Sequence, residues 1–470
     1  MRLSVCLHVL NREADMRSPS RPAVIGAITV LALTSCGTGT DSGGGSVTLT
    51  IAANSISGGK NSESADWITK WVIPEFQKAH PNVKVTFQPS GVDDEQYKTK
   101  ISLDLKSKTG ADVIDLDGIW VGEFAQAGYI KPLAEVGGAA VEQWEGWSQI
   151  PQAVQGLGIF DGKKYGLPQG TDGRVLFYNK TLFKKAGLPE PWQPTSWQEI
   201  IDAGTRLKAA GVPVPIQLNA GTAMGEATTM QGVLPLLAGA GSEIYTAGKW
   251  TGDSQAMRDA LGLYQQIYGG SGLGDPKLQQ EAKGRDKSFA RFAEGEIGIL
   301  AESDYFWRSV VEPTAGVAPM KDRDQVVGYT KIPAKRPGGG IRGQDHVSMS
   351  GGAVRVLNPF SKNPGPAWEL LAFMHSAAAT KSELAGQVRI SSRTDVNDEV
   401  LTADPMLRYI AEEVLPITAY RPGVAVYPQV STALQEATAA VVSGGSAAEA
   451  SAAYQTKLEG LVGGAANIGG

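Results

Sequence analysis

The sequence predicts an α/β fold built around parallel β-strands, and three observations near its start carry this prediction. Apolar and polar residues alternate over 47–54 and 83–87, as in strands, and a third strand is predicted at 112–116. Between them, apolar residues recur at helical spacing around 67–79 and over 97–105. This alternation predicts parallel pairing through right-handed crossovers, with ligands beyond the carboxyl ends of the strands.

An export segment is predicted ahead of this fold. The apolar run Ala23–Leu33 is too short to span a membrane and follows two arginines, as in a signal peptide covering residues 1–35. Acidic side chains in residues 1–15 do not suit a leader, so we expect a mis-annotated extension there. The run ends in Leu-Thr-Ser and then Cys36, which resembles the bacterial lipobox and implies that this cysteine carries lipid. The alternative is an ordinary leader with an accidental cysteine. Residues 36–46 are then predicted to form a lipid-anchored, flexible Gly/Ser linker.

The composition argues against several classes of protein. Cleavage before Cys36 leaves 470 − 35 = 435 residues, which is long for one domain and predicts two. The 43 basic and 48 acidic residues give a net charge of −5, so no basic patch indicates nucleic-acid binding. The other cysteine lies in or before the leader, so no disulfide and no thiol for catalysis or metal binding is expected. No later apolar run is long enough to span a membrane.

The remaining elements continue the alternation of strands and helices. Ser196 and Glu199 have the spacing of a capping box, which predicts that a helix begins there, and Gly211 is its predicted stop. Further strands are predicted at 175–178, 296–300 and 350–356. Further helices are predicted at 257–268, at 282–293, around 368–374 and, rich in alanine, near 434–461.

A series of short motifs runs through nearly all of the mature chain. They are, in order, Phe76 with Pro81-Asn82-Val83-Lys84-Val85, Asp112-Val113-Ile114 through Trp120 and Gly128, Tyr165-Gly166-Leu167-Pro168, Phe177-Tyr178-Asn179-Lys180 with Phe183 and Ala186-Gly187-Leu188, Pro194-Thr195-Ser196-Trp197, Phe292-Ala293-Glu294-Gly295-Glu296, Gly351-Gly352-Ala353, and the region from Ser392-Arg393 to Arg421-Pro422. In this order and spacing they resemble the extracellular solute-binding proteins of bacterial ABC importers, in the group that carries sugars. The stretches 117–128 and 421–427 are similar to trehalose- and maltose-binding lipoproteins.

The resemblance implies a two-lobed, periplasmic-binding-protein-like (type II) fold that closes on its ligand about a hinge. We expect one lobe at 47–163 plus 305–358, and the other at 164–304 plus 359–470. The resemblance also implies a monomer on the extracytoplasmic face of the cell membrane, where it docks on ABC permease subunits. The lipid anchor at Cys36 would raise its effective concentration near that transporter.

The resemblance implies a cleft in which carboxylates and amides hold pairs of hydroxyls. Asp117, at the end of the third strand, is the first candidate carboxylate, and its alternative role is a helix N-cap. Asp115 shares its strand parity but lies further back. Asn54 and Ser55 end the first strand and are candidates for hydroxyl contacts, with an ordinary turn as the alternative. Gln96 is a candidate contact from the next helix, with a solvated side chain as the alternative.

Candidates from the second half of the chain also come from the resemblance. Asp172 matches a family contact position that often carries an amide or an acid, and Asn219 and Glu226 lie in a polar segment that reaches the family's cleft. Gly352, with the glycine before it, offers backbone N–H groups, although close packing also explains glycine. Arg421 matches a family arginine that reaches the sugar, and its alternative is a surface salt bridge.

Aromatic side chains are expected to cover the apolar face of a sugar ring. Trp120 is one candidate, although it shares a helical face with Phe124 and a place in the core is the alternative. Tyr305 falls where many members of the family carry a stacking tryptophan. Trp307 is close to it in sequence and is the candidate substitute.

We therefore predict a receptor that binds a di- or oligosaccharide, with a trehalose- or maltose-type glucoside favoured, and that uses no catalytic residue, cofactor or metal. Three histidines of the mature chain are scattered, and zinc, phosphate-loop and serine-hydrolase motifs are missing from the sequence. The first alternative is a different solute, such as a glycerol phosphate ester or a polyol; a phosphate would favour Arg421 and helix N-termini over Asp117. The second alternative is an exported carbohydrate-active enzyme, which needs two carboxylates that flank a glycosidic bond.

Overall fold

The computed structural model describes residues 46–92 and 94–469, and its first β-sheet is built as the sequence predicts. Its five strands lie in the order Val83–Pro89, Val47–Ala53, Val113–Asp117, Ala353–Leu357 and Gly166–Pro168. The first three pair in parallel, which confirms the predicted parallel pairing, and the last two are added antiparallel. The predicted signal peptide, Cys36 and most of the linker lie outside the described residues.

The second sheet lies further along the chain and is buried on both faces. Its four strands lie in the order Val327–Thr330, Arg174–Asn179, Ile297–Ser303 and Val214–Gln217. Every residue of the two central strands is buried, as expected when helices cover both faces of a sheet. Shorter sheets are formed by Ile332–Pro333, His346–Ser350 and Thr418–Tyr420, by Tyr245–Thr246, Lys249–Thr251 and Ile468–Gly469, and by Ile159–Phe160 with Lys163–Lys164.

Helices surround both sheets and supply most of the apolar core. Those that share a core with the first sheet are Ser62–Trp67, Ile73–Ala79, Asp94–Lys106, Val121–Gln126, Leu133–Gly137, Pro364–Met374 and Ala377–Leu384. Those that share a core with the second sheet are Lys180–Lys185, Trp197–Ala209, Leu234–Gly239, Gln255–Tyr268, Gly284–Ala293, Thr394–Val400, Pro405–Tyr409, Tyr427–Val442 and Ala447–Val462. Short helices lie at Gln152–Gln155, Glu226–Thr228, Pro276–Gln280 and Arg323–Val326. Within 46–92 and 94–469, no helix is long and apolar enough to cross a membrane.

The helix start predicted from the capping-box spacing is confirmed, with one difference in its bonds. The Ser196 hydroxyl accepts a hydrogen bond from the Glu199 N–H, and the helix runs over Trp197–Ala209. The Glu199 carboxylate does not return to the cap residue. It accepts instead from the N–H and the hydroxyl of Thr195, at 2.9 Å each. Ser196 is therefore the N-cap of the helix, as predicted, but the return bond of the capping box goes to Thr195, one residue earlier.

Sheet membership divides the chain differently from the expected lobe bounds 47–163 plus 305–358 and 164–304 plus 359–470. The strand Val327–Thr330 was expected in the first lobe. It pairs instead with Arg174–Asn179 of the second sheet, because strand pairing can join segments that are distant in sequence. The helix Pro364–Met374 packs against the first sheet, where its leucines share a core with Leu49 and Ile51. The chain passes between the sheets at 169–173, at 351–352 and again after Leu384.

A buried ion pair closes the end of the second sheet. The Glu302 side chain is 0% exposed, and its oxygens accept from Nε of Arg285 at 2.7 Å and Nη2 at 2.8 Å. The Asn219 amide donates to the same carboxylate at 3.1 Å. A buried carboxylate without a cation is strongly destabilising, so Arg285 stabilises this edge of the sheet.

We predict that Arg285→Met lowers the free energy of unfolding by about 3 kcal/mol, because it leaves the buried Glu302 carboxylate unpaired. Arg408→Met is the matched control, since Arg408 pairs with Glu412 on an exposed helix face and such pairs contribute under about 1 kcal/mol. Urea unfolding measures both. Equal, small losses in the two variants would contradict the structural role given to Arg285.

Candidate functional site

A cavity of about 630 Å³ lies beyond the carboxyl ends of two neighbouring parallel strands of the first sheet, Val47–Ala53 and Val113–Asp117. Its walls also include the two chain crossings at 169–173 and 351–352. This volume falls within the range of cavities that bind small molecules, and the carboxyl ends of strands are where α/β sheets bind ligands. The cavity is therefore the candidate binding site.

The cavity brings together several of the predicted residues, which lie far apart in the sequence. Those that line it are Asn54, Ser55, Asp117, Trp120, Asp172, Tyr305 and Gly352. Predicted residues that do not line it are Gln96, Asn219, Glu226, Trp307 and Arg421.

Asp117 combines the two roles that the sequence left open. Its carboxylate caps the short helix Gly118–Trp120, accepting from the Ile119 N–H at 3.1 Å. The side chain nevertheless remains 41% exposed in the cavity wall and lies 3.6 Å from Nη2 of Arg421. Desolvation raises the pKa of Asp117, and attraction to the Arg421 guanidinium opposes the rise. The cap fixes the carboxylate in place while leaving it available to a ligand.

Asp172 is an anionic anchor for the chain crossings. Its Oδ1 accepts from the Gly351 N–H at 2.7 Å and also bonds the Arg174 guanidinium. Burial works against ionisation, but the Arg174 charge and the Gly351 N–H together hold the pKa of Asp172 below its ordinary value. This carboxylate ties the crossing at 169–173 to the crossing at 351–352.

Asn54 and Ser55 present buried polar atoms that have no partner in the described part of the chain. The Asn54 amide nitrogen donates to the Val92 carbonyl at 3.1 Å and to Asp94 at 3.0 Å. Its Oδ1 and the Ser55 hydroxyl oxygen are both buried without a hydrogen bond. Unpaired buried polar atoms cost about 1–3 kcal/mol each, so both atoms favour a ligand that offers hydroxyl groups.

The three aromatic candidates separate into two wall residues and one core residue. Trp120 is largely buried but still lines the cavity, and Tyr305 is partly exposed there. Trp307 is only 4% exposed and packs in the core, where its indole N–H donates to the Asp404 carboxylate at 3.1 Å. The Arg323 guanidinium stacks on its ring, 3.8 Å from the centroid. Trp307 is thus a structural residue, contrary to its predicted role as a substitute stacking residue.

Three other candidates lie away from the cavity, each for a physical reason. Asn219 is fully buried and donates to Glu302, so its amide is used within the fold. Gln96 lies exposed on its helix and outside the cavity wall. Glu226 accepts from the Tyr427 hydroxyl at 2.6 Å and from the Ser431 hydroxyl. None of the three lines this cavity.

Arg421 lies beside the cavity and forms a buried bridge. Its side chain is 11% exposed, which excludes the alternative of a surface salt bridge. Nη1 donates to Glu226 at 3.1 Å, while Nη2 lies 3.6 Å from Asp117. The guanidinium therefore connects an end of the first sheet to the helix Glu226–Thr228.

Several residues that line the cavity were not predicted from the sequence, and three of them, Glu63, Asp94 and Glu383, are acidic. The missed side chains include Glu63, Asp94, Gln169, Thr171, Arg308, Glu383, Gln387 and Arg389. Gln169 and Thr171 lie between the motif ending in Pro168 and the predicted Asp172, so that motif could have indicated that both residues line the cavity. The group at 383–389 has no motif or periodicity that marks it. Together with Asp115, Asp117 and Asp172, the acids in the wall outnumber the arginines.

Comparisons with known proteins agree with this architecture. A family model described as bacterial extracellular solute-binding protein matches residues 60–381. A binding protein of Brucella abortus (strain 2308) is 25% identical over 355 residues, which are 75% of this chain and 76% of that protein. The sn-glycerol-3-phosphate-binding periplasmic protein UgpB of the same strain is 34% identical over 87 residues, 18% of this chain and 20% of that protein.

Solved structures share the fold over most of the chain. An ABC transporter solute-binding protein from Thermotoga lettingae, solved with α-D-tagatose, has a TM-score of 0.67 at 24% identity and covers 89% of this chain and 100% of its own. The sugar-binding protein MalE from Xanthomonas citri has a TM-score of 0.71 at 17% identity and covers 89% and 98%. These similarities confirm the expected two-lobed α/β fold.

We predict that Trp307→Ala lowers the free energy of unfolding by about 3–5 kcal/mol, because it empties a packed core position. Tyr305→Ala is the comparison, two residues away in sequence, and should cost clearly less because its ring forms part of a cavity wall. Denaturant unfolding of both variants measures the difference. An equal or larger loss for Tyr305→Ala would contradict the assignment of these two rings.

Proposed function

The chain belongs to the bacterial extracellular solute-binding protein family, and from this premise we propose that it is the receptor of an ABC importer for a di- or oligosaccharide. A trehalose- or maltose-type glucoside is the favoured ligand. The observation that carries the proposal is the cavity wall, in which carboxylates, amides and hydroxyls from distant segments face the space beside two aromatic rings.

The polar groups of the wall suit an uncharged ligand that is rich in hydroxyls. Asp117 and Asp172 supply fixed carboxylates, and the Asn54 oxygen and Ser55 hydroxyl need hydrogen-bond partners. A sugar donates and accepts at adjacent hydroxyls, while Trp120 and Tyr305 offer apolar faces to its C–H surface. Buried groups that require hydroxyl partners also reject ligands that lack them, which gives selectivity.

A phosphate ester fits this wall less well. The two arginines of the wall, Arg308 and Arg389, are paired with Asp304 and Glu383. Beside the wall, Arg421 lies between Asp117 and Glu226, so these cations are compensated. A phosphate in the cavity would face the acidic lining, and like charges at short range are unfavourable. The similarity to a glycerol-phosphate-binding protein spans only a short part of the chain, so we retain that ligand, and a polyol, as alternatives.

We further propose the cellular setting and the absence of turnover. The signal peptide and Cys36 would place a lipid-anchored monomer on the extracytoplasmic face of the membrane, with residues 37–46 as the tether. There it would deliver intact sugar to permease subunits. Binding without chemistry distinguishes this proposal from the alternative of an exported carbohydrate-active enzyme, since the bound sugar would be recovered unchanged.

We predict that residues 46–470 bind at least one of glucose, trehalose, maltose and maltotriose in titration calorimetry, and that Asp117→Asn weakens this binding by about tenfold or more. A hydrogen bond to a charged group contributes about 1.5–3 kcal/mol, and 1.4 kcal/mol corresponds to tenfold in affinity. Asp398→Asn, on an exposed helix outside the cavity, is the matched control. Binding of glycerol 3-phosphate but of no sugar, or cleavage of the sugar during the titration, would refute the proposal.

We also predict that sugar affinity falls as the pH is lowered through the raised pKa of Asp117. That pKa lies above the ordinary aspartate value of about 4, so the carboxylate that accepts from sugar hydroxyls is protonated at a higher pH than an ordinary aspartate. The lowered pKa of Asp172 keeps that group ionised over the same range. Titrations between pH 7 and pH 4 measure the change, and Asp117→Asn should abolish it. A pH profile that persists in Asp117→Asn would assign the effect to another group.

A further inference from the structure

Residues 383–390, which we call the wall segment, form part of the binding cavity and are fixed at both ends. The segment begins in the last turn of the helix Ala377–Leu384. At its other end, the Ile390 carbonyl accepts from the Thr171 N–H at 3.3 Å, and the next residue pairs with the chain crossing at 169–173. The side chains of the segment that form polar parts of the cavity wall are Glu383, Gln387 and Arg389.

A buried carboxylate lies at the start of the wall segment. The Glu383 side chain is only 5% exposed, and its Oε1 accepts from Nη2 of Arg389. Nη2 of Arg355 lies 3.7 Å from the same oxygen. A buried carboxylate is strongly unfavourable without a cation, so the two guanidinium groups together hold Glu383 in place.

Arg355 is itself fixed by the first sheet. It lies in the strand Ala353–Leu357, and its side chain is 1% exposed. Its Nε donates to Oδ1 of Asp115 at 3.0 Å, and its guanidinium lies over the ring of Trp67, 4.9 Å from the centroid. The position of Glu383, and through it that of Arg389, is therefore referred to the rigid strands of the sheet.

Arg389 keeps most of its capacity to donate hydrogen bonds. A guanidinium has five N–H donors, and the Arg389 side chain makes one hydrogen bond in the described part of the chain, to Glu383. The side chain is 33% exposed. Arg308, the other arginine of the wall, donates to both Asp304 and Ser309 and is 21% exposed. Of these two cations, Arg389 has more N–H groups left for a ligand.

The free donors of Arg389 complement the acceptors elsewhere in the wall. Asp117, Asp172 and the Asn54 oxygen accept hydrogen bonds, whereas a sugar hydroxyl both donates and accepts. Hydroxyls bound to these acceptors still have lone pairs that need donors. A guanidinium presents parallel N–H groups, which suit two neighbouring oxygens. Because Glu383 compensates the charge of Arg389, an anionic ligand is not required.

We propose that Arg389 is a ligand-binding residue that donates to hydroxyl oxygens of the bound saccharide, and that Glu383 is the residue that positions it. The inference rests on the proposed function and makes it more specific, because it selects sugars that carry a hydroxyl within reach of this guanidinium. Sugars that lack that hydroxyl leave the donors of Arg389 without a partner and are discriminated against.

Three variants and a control test the proposal. Arg389→Met removes the donors, and Arg389→Lys keeps the charge but loses the planar fork. Glu383→Gln removes the carboxylate that orients Arg389. Arg258→Met is the matched control, because Arg258 is 37% exposed, pairs with Asp253 at 2.6 Å and lies outside the cavity. Each protein is titrated in a calorimeter with the tightest-binding sugar of the panel and with its monodeoxy analogues, which each lack one hydroxyl.

We expect Arg389→Met to weaken binding of the parent sugar by about tenfold or more, as for a lost hydrogen bond to a charged group, and Arg389→Lys to weaken it several-fold. Arg258→Met should bind as the unmodified protein does. At least one monodeoxy analogue should lose affinity for the unmodified protein and lose clearly less for Arg389→Met, because its missing hydroxyl is the partner of Arg389. Glu383→Gln should weaken binding in the unmodified protein and add no loss to Arg389→Met.

Other outcomes would overturn the inference. Equal affinities in Arg389→Met and the unmodified protein would refute a contact between Arg389 and the sugar. Losses that multiply for every monodeoxy analogue would show that Arg389 acts on the fold and not on a hydroxyl. If Arg389→Met does not fold, Arg389→Lys with the same analogues decides by the same criterion. No sugar binding by the unmodified protein would instead refute the proposed function, and the role of Arg389 with it.

Discussion

The buried position of Arg421 is the constraint on which the binding region depends. A cation removed from water must be paired, and this guanidinium lies between Asp117, at an end of the first sheet, and Glu226, at the start of a helix beside the second. The same carboxylate of Asp117 caps a helix and faces the cavity. Asp117, which faces the Arg421 guanidinium, is therefore also a group that a ligand in the cavity would meet. Its contacts place it before binding, so less ordering remains to be done when a sugar enters.

Selectivity follows from what this wall leaves unsatisfied. Asn54 and Ser55 keep buried oxygens without partners, whereas the arginines near the cavity are largely compensated by acids. Such a wall gains from a neutral ligand with many hydroxyls and loses from an anion.

The sequence predicted the parts of the site that depend on local rules. Asn54, Ser55 and Asp117 follow strands whose parallel pairing places their ends together, so strand order alone was enough to bring them to one cavity. Tyr305 and Trp307 could not be separated, because sequence spacing does not tell which of two nearby rings faces the core. The segment 383–389 lines the cavity only because the preceding helix packs on the first sheet. The strand Val327–Thr330 likewise joins its sheet through an antiparallel partner that is distant in sequence, which no local pattern in the sequence indicates.

The central claim is that the cavity between these strand ends holds an intact saccharide against Asp117. A crystal structure of the chain grown with the tightest-binding sugar of the panel tests it most directly. We expect electron density for uncleaved sugar whose hydroxyls contact Asp117 and the Asn54 and Ser55 oxygens, with one ring against Tyr305 or Trp120. Density for the sugar elsewhere on the protein, or for two cleaved products in the cavity, would contradict the account.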